Sequence, residues 1–119
     1  MIYLAGPYSH ISESIRDYRF KKFAEIANHL MRHKNLVFSP IVHGHVIAEC
    51  GQLPLDFAYW KEHSFFFLRK CSQVLLLTLD GWEKSVGVRS ELAEAYKLDI
   101  PIKTIDPQTR EIKEFTYVW

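Results

Sequence analysis

The stretch "QVLLLTL", residues 73–79, limits the possible folds more than any other part of the chain. Its uninterrupted apolar run suits a strand buried on both faces, at a central position in a parallel sheet. Such a strand needs cover above and below, and the rest of the sequence alternates strands with helices. Ile2 to Ala5 is a short apolar run closed by Gly6-Pro7 and reads as a buried strand. Ser12 or Ser14 can cap the next helix, whose positions Phe20, Phe23, Ala24, Ala27, Leu30 and Met31 keep helical spacing. Leu36 to Phe38 is a second strand, ended by Ser39-Pro40. The following "IVHGHVIAECGQLP" is expected to be an irregular loop with one helical turn at most.

From about Leu55 to Lys70 a helix carries Phe57, Trp60, Ser64, Phe67, Leu68 and Cys71 on one stripe. After the central strand, a helix from about Ser85 to Leu98 leads to a strand over Pro101 to Ile105. The final "EIKEFTYVW" is an edge strand or a docked tail. Strands separated by helices imply βαβ units with right-handed crossovers. The expected fold is therefore a small doubly wound α/β sandwich, formed as a single domain over residues 1–119.

Composition narrows the function classes. A hydrophobic fraction of 48% and an aromatic fraction of 14% are those of a packed globule. The 15 basic and 14 acidic residues leave a formal charge of +1, with no basic stripe. A nucleic-acid duplex is thus a poor partner, while a small anion needs only local donors. Cys50 and Cys71 are too few and too far apart for a metal knuckle or a disulfide framework, so a reducing compartment is expected. No stretch approaches the ~20 apolar residues of a membrane span, and "MIYLAGPYS" lacks a charged leader region. A cytoplasmic location with no membrane partner is the expectation.

Ligands of doubly wound sheets bind beyond the carboxyl ends of the strands. Here those ends are "GPYS", "SPIVHGH", "DGWEKSVG" and the loop after Ile105. In the last long helix, Val88, Leu92 and Ala95 form an apolar stripe, with Glu91 at its border and Ser90 pointing away. Spacing alone leaves Glu91 either a surface carboxylate complementing the helix dipole or a half-buried nucleophile or base. Ser85 and Gly87 are either a plain cap or a turn whose N–H groups receive an anion. Gly6, Tyr8 and Ser9 form an ordinary strand exit or line a ligand, and Arg19 guards an anion or is simply solvated.

Ser39 belongs to the segment at the second strand end. His43 and His45 suit substrate hydrogen bonding or loop packing better than a metal, because two ligands do not make a site. Asp56 either complements a helix dipole or bonds a sugar or base, with Trp60 as pocket wall. Ser64, the small polar residue inside an apolar stripe, needs a hydrogen-bond partner, which a backbone carbonyl one turn back could provide.

Taken together, "IYLAGPYS", "FSPIVHGH", "LPLDFAYW" and "LLTLDGWEKSVGVRSELAEA" followed by "IPI" resemble the nucleoside 2-deoxyribosyltransferase superfamily. The likeness extends to its small nucleoside-monophosphate N-glycosidases and short phage and bacterial members of undefined activity. It implies a Rossmann-like, flavodoxin-like three-layer sandwich. It also makes the Glu of "S-x-G-V-x-x-E-L", here Glu91, a nucleophile that expels the base and forms a glycosyl-enzyme intermediate. Ser85 and Gly87 would border the 5′ end of the nucleotide, and Gly6 to Ser9 the sugar and base.

The family commonly carries an Asp on the helix before the central strand, where this chain has Ser64; a second Asp position holds Ser72. Ser64 supplies no carboxylate, so either activity is altered or Asp56 takes the role. Two functions are therefore expected. One is an enzyme cleaving or exchanging the N-glycosidic bond of a nucleoside or its 5′-monophosphate. The other is a catalytically weak or inactive nucleotide-binding module. Neither requires a cofactor or a metal, and both suit a homo-oligomer.

Overall fold

The computed structural model describes residues 1–116. Strand β1 (Ile2–Ala5) leads through helix α1 (Glu13–Arg32) to β2 (Val37–Phe38). Two helices, α2 (Pro40–Gly51) and α3 (Phe57–Leu68), precede β3 (Gln73–Leu77). A 3-10 turn (Trp82–Lys84) and α4 (Val86–Lys97) then lead to β4 (Ile102–Ile105) and β5 (Ile112–Glu114). The sheet order is β2-β1-β3-β4-β5, parallel from β2 to β4, and β5 returns antiparallel as an edge hairpin. This is a three-layer α/β sandwich with the Rossmann-like, flavodoxin-like order. The sheet is thus parallel except at its last strand.

The central apolar run lies where its composition demands. Val74 to Leu77 are at most 1% exposed, and their alternation feeds two cores. Tyr3, Ala5, Val74 and Leu76 face α3 and α4 through Leu68, Val88 and Leu92. Leu4, Leu75, Leu77 and Ile105 face α1 through Phe23, Ile26 and Leu30. On α1 the buried stripe includes Arg19 and Ile26, whereas Met31 is 53% exposed. On α3 it includes Ser64, Phe65 and Leu68. Ser12 caps α1. The edge strand expected near the end is β5, and the tail residues Tyr117, Val118 and Trp119 lie outside the described residues.

The segment read as an irregular loop is instead a full helix. Ser39 accepts a hydrogen bond from Val42 N at 3.3 Å, and Pro40 occupies the first turn, where its missing N–H is harmless. Gly44 survives inside that helix because the Trp60 indole lies against it; a Cβ there would sit 3.6 Å from the ring. Ser39-Pro40 therefore starts α2 as well as ending β2.

Gly6 is required for space rather than for backbone freedom, since its φ is not positive. A Cβ at Gly6 would lie 2.4 Å from the Phe23 ring, which is fully buried. Gly6→Ala is expected to destabilise by about 1–3 kcal/mol through overpacking. By contrast, Gly51 ends α2 with nothing near a Cβ, and Gly51→Ala should stabilise by roughly 0.5–1 kcal/mol. Urea midpoints of the two variants check this; equal midpoints would mean that Phe23 yields to the added methyl.

Candidate active site

The chain reverses direction across the sheet between β1 and β3, and a cleft of about 650 Å³ opens there at the carboxyl ends of the strands. Its walls come from the loop after β1, from α2, from the start of α3 and from the start of α4. Gly6, Tyr8, Ser9 and His45 line it, with Asp56, Trp60 and Ser64 on α3. Ser85, Gly87 and Glu91 complete the group of expected residues that meet there.

Glu91 is more deeply buried than its border position suggested, at 5% exposure between Val88 and Leu92. The reason lies across the layer interface. Tyr3, a fully buried β1 residue, reaches up from the sheet and donates its phenol proton to Glu91 Oε2. Burial pushes the Glu91 carboxyl from 4.5 up to about 8, and the Tyr3 hydrogen bond works against that rise. Tyr3 itself is held well above the usual phenol range, first by burial and then by the Glu91 charge. It therefore stays a donor. Ser64 stands beside the same phenol and pulls its pKa down, a smaller effect than burial and Glu91.

The other residues have structural duties that limit their chemistry. Ser85 caps α4 by accepting from Val88 N at 3.2 Å while lining the cleft. Gly87 brings the start of α4 against Phe57; a Cβ would meet that ring at 3.1 Å. Asp56 caps α3 by accepting from Tyr59 N at 3.3 Å and is exposed. Trp60 donates its indole N–H to Pro54 O at 2.7 Å and stands as a wall.

Arg19, Ser39 and His43 do not line this cleft. Arg19 is 9% exposed and donates to Tyr8 O at 3.3 Å, Ser9 O at 3.1 Å and Asp80 O at 3.1 Å. It fastens the loop after β1 to the loop after β3. Ser39 is the α2 cap described above. His43 turns to the outer side, with its Nε2 3.1 Å from His63 Nε2, and burial and that neighbour lower its pKa.

Some cleft residues carried too little sequence signal. Ser90 lines the cleft instead of pointing away, and Lys61 and Lys84 put cations at its rim. Lys84 directly precedes the Ser85 turn and could have been found there; Lys61 sits among the exposed residues of α3 with nothing to mark it. Tyr3 reads as an ordinary core residue in a buried strand. The histidine pair also divides. His45 is 7% exposed, with Nδ1 2.6 Å from the Tyr8 hydroxyl and Nε2 3.2 Å from Glu49 Oε1 and 3.8 Å from Asp17 Oδ1.

A family model described as a domain of unknown function, DUF1937, matches residues 1–106. The chain belongs to the DUF1937 family. No curated protein matches it. The DUF1937 span runs from β1 through β4 and so holds every cleft segment; β5 lies beyond it.

The buried carboxyl of this DUF1937 domain has a measurable consequence. The unfolded chain releases the Glu91 proton near 4.5, and the folded one near 8. Between those values the native state binds more protons, so stability falls as pH rises, by about 1.4 kcal/mol per pH unit from this group. Glu91→Gln keeps an acceptor for Tyr3 and has no charge to bury. Its melting temperature should exceed wild type at pH 8, with the gap closing towards pH 4.5. Parallel melting curves across that range would show that Glu91 is ionised throughout in the fold.

Proposed function

We propose that this cleft cleaves or exchanges the N-glycosidic bond of a nucleoside or its 5′-monophosphate, with Glu91 as nucleophile. The observation that carries the reading is a desolvated carboxylate at the floor of a cleft sized for a small ligand, held at one oxygen by Tyr3. Because Tyr3 occupies Oε2, Oε1 is the atom that attacks. It forms a bond to the anomeric carbon, the carbon–nitrogen bond breaks, and its electron pair leaves with the base. Water or a second base then attacks the same carbon and releases the Glu91 carboxylate. Two displacements retain the configuration.

The remaining walls suit the rest of such a substrate. Lys61, Lys84 and the start of α4 place positive charge on one rim, which fits a 5′-phosphate. Trp60 and Tyr8 offer flat surfaces to a sugar and base. The resemblance of the Ser85-Gly87-Glu91 motif to the deoxyribosyltransferase superfamily supports the same roles.

A second reading is a nucleotide-binding module without turnover. It is favoured by Ser64, which offers no carboxylate, and by a Glu91 that is mostly protonated at neutral pH in the free protein. Incubation with deoxynucleosides, their monophosphates and acceptor bases separates the two. The enzyme reading expects base release or exchange that Glu91→Ala lowers by about 10³-fold or more. It also expects a glycosyl adduct on Glu91 by mass spectrometry when a 2′-fluoro-arabinosyl nucleoside is supplied. Tight nucleotide binding by calorimetry without base release over hours would establish the module instead.

A further inference from the structure

This inference rests on the glycosidase reading and concerns its missing acid. When the glycosidic bond breaks, the nitrogen that keeps the electron pair departs readily only if the base is protonated. Ser64 cannot provide that proton, and Asp56 is an exposed helix cap tied to the Tyr59 amide. Another hydrogen-bonded chain does reach the cleft. Tyr8 and His45 both line it, and they are joined at 2.6 Å through the Tyr8 hydroxyl and His45 Nδ1. Behind them, His45 Nε2 faces Glu49 at 3.2 Å and Asp17 at 3.8 Å.

We propose that Tyr8 is the catalytic acid for the departing base, and that His45 is the positioning residue that holds and returns its proton. The arrangement is directional. His45 is 7% exposed and lies flat on Phe20, with ring centroids 4.1 Å apart and planes 19° from parallel. The Glu49 and Asp17 side chains are 61% and 47% exposed, so the outer end of the chain meets solvent, the His45 ring is buried, and Tyr8 opens on the cleft. Asp17 comes from α1, Glu49 from α2 and Tyr8 from the loop after β1; Arg16 adds a positive field near Tyr8. Burial, helped by Glu49 and Asp17, keeps Tyr8 above the usual phenol range against the pull of Arg16. It therefore holds its proton until the base asks for it.

The proton count closes. With His45 protonated, Nε2–H donates to Glu49 and Nδ1–H donates to the Tyr8 oxygen, which frees the Tyr8 O–H to face the cleft. As the carbon–nitrogen bond breaks, Tyr8 gives its proton to the base and takes the one on Nδ1. In the second displacement the attacking water or base returns a proton to Tyr8, and Tyr8 returns one to His45. Glu91, mostly protonated at neutral pH in the free protein, gives that proton to solvent before it attacks and is released at the end as a carboxylate.

The test compares a guanine deoxynucleotide with its 7-methylguanine counterpart, whose base is already cationic and leaves without a proton. Tyr8→Phe and His45→Asn should lose about 10²–10⁴-fold in kcat on the first and keep the wild-type rate on the second. Glu49→Gln, on the exposed side where folding is not at stake, should show the same selective loss to a smaller degree. Equal losses on both substrates, or none on either, overturn the acid assignment. A wild type that releases neither base overturns the glycosidase reading itself. Ring-nitrogen NMR gives a readout that needs no turnover: Tyr8→Phe should move the His45 Nδ1 resonance, and an unchanged resonance overturns the coupling. Donor atoms of Asp17, His45 and Glu49, one from each, also lie within 4.8 Å of one another. Inactivation by a chelator that zinc reverses would overturn the proton path in favour of a bound ion.

Discussion

A carboxyl group withdrawn from water and met by one phenol sets the terms for the rest of this molecule. Glu91 in that place forgoes its hydration, which is among the more costly things a folded chain can do with an ionisable group. The position holds only because Tyr3 rises from β1 beneath it, and Tyr3 stays in place because β1 is locked between β2 and β3. The register of Tyr3 against Val74 thus determines where the carboxyl stands. An apolar residue at position 91 would pack more comfortably in that core. A buried acid there breaks the consistency of an otherwise apolar layer.

The walls around it follow from how closely segments of the chain can approach. Gly6 lets the loop after β1 fold onto Phe23, and Gly87 lets α4 begin against Phe57. Three different connections between strands contribute the walls, the one from β2 to β3 supplying both α2 and α3, so no short peptide contains the site. A fold with a helix on one face only would leave half of these residues without a place.

Much of the architecture could be read from the sequence because the signals were local. The apolar run at Val74 to Leu77, the helical spacing of α1 and the Ser85 cap each declare themselves within a few residues. What escaped depended on contacts between distant segments. The α2 helix was hidden by Gly44, whose partner Trp60 lies on another helix. With α2 unrecognised, the pairing of His45 with Glu49, one helical turn apart, went unseen as well. Glu91 could be placed at a stripe border but not beneath Tyr3, since nothing in either segment refers to the other. Arg19 looked like a solvated cation because its acceptors are carbonyls, and carbonyls leave no mark on a sequence.

That arginine has a mechanical consequence. By tying Tyr8 and Ser9 to Asp80, it welds together the two loops on either side of the reversal point. Parting those loops to widen the cleft would cost these three bonds. The opposite wall is built from α2 and α3, joined by a linker that starts at Gln52 in the left-handed conformation. Tyr8 sits on one of the fastened loops and His45 on α2. The Tyr8–His45 hydrogen bond links the fastened loop to α2 at this point, so on the proposed reading any parting of the two would break the path by which a proton reaches the base.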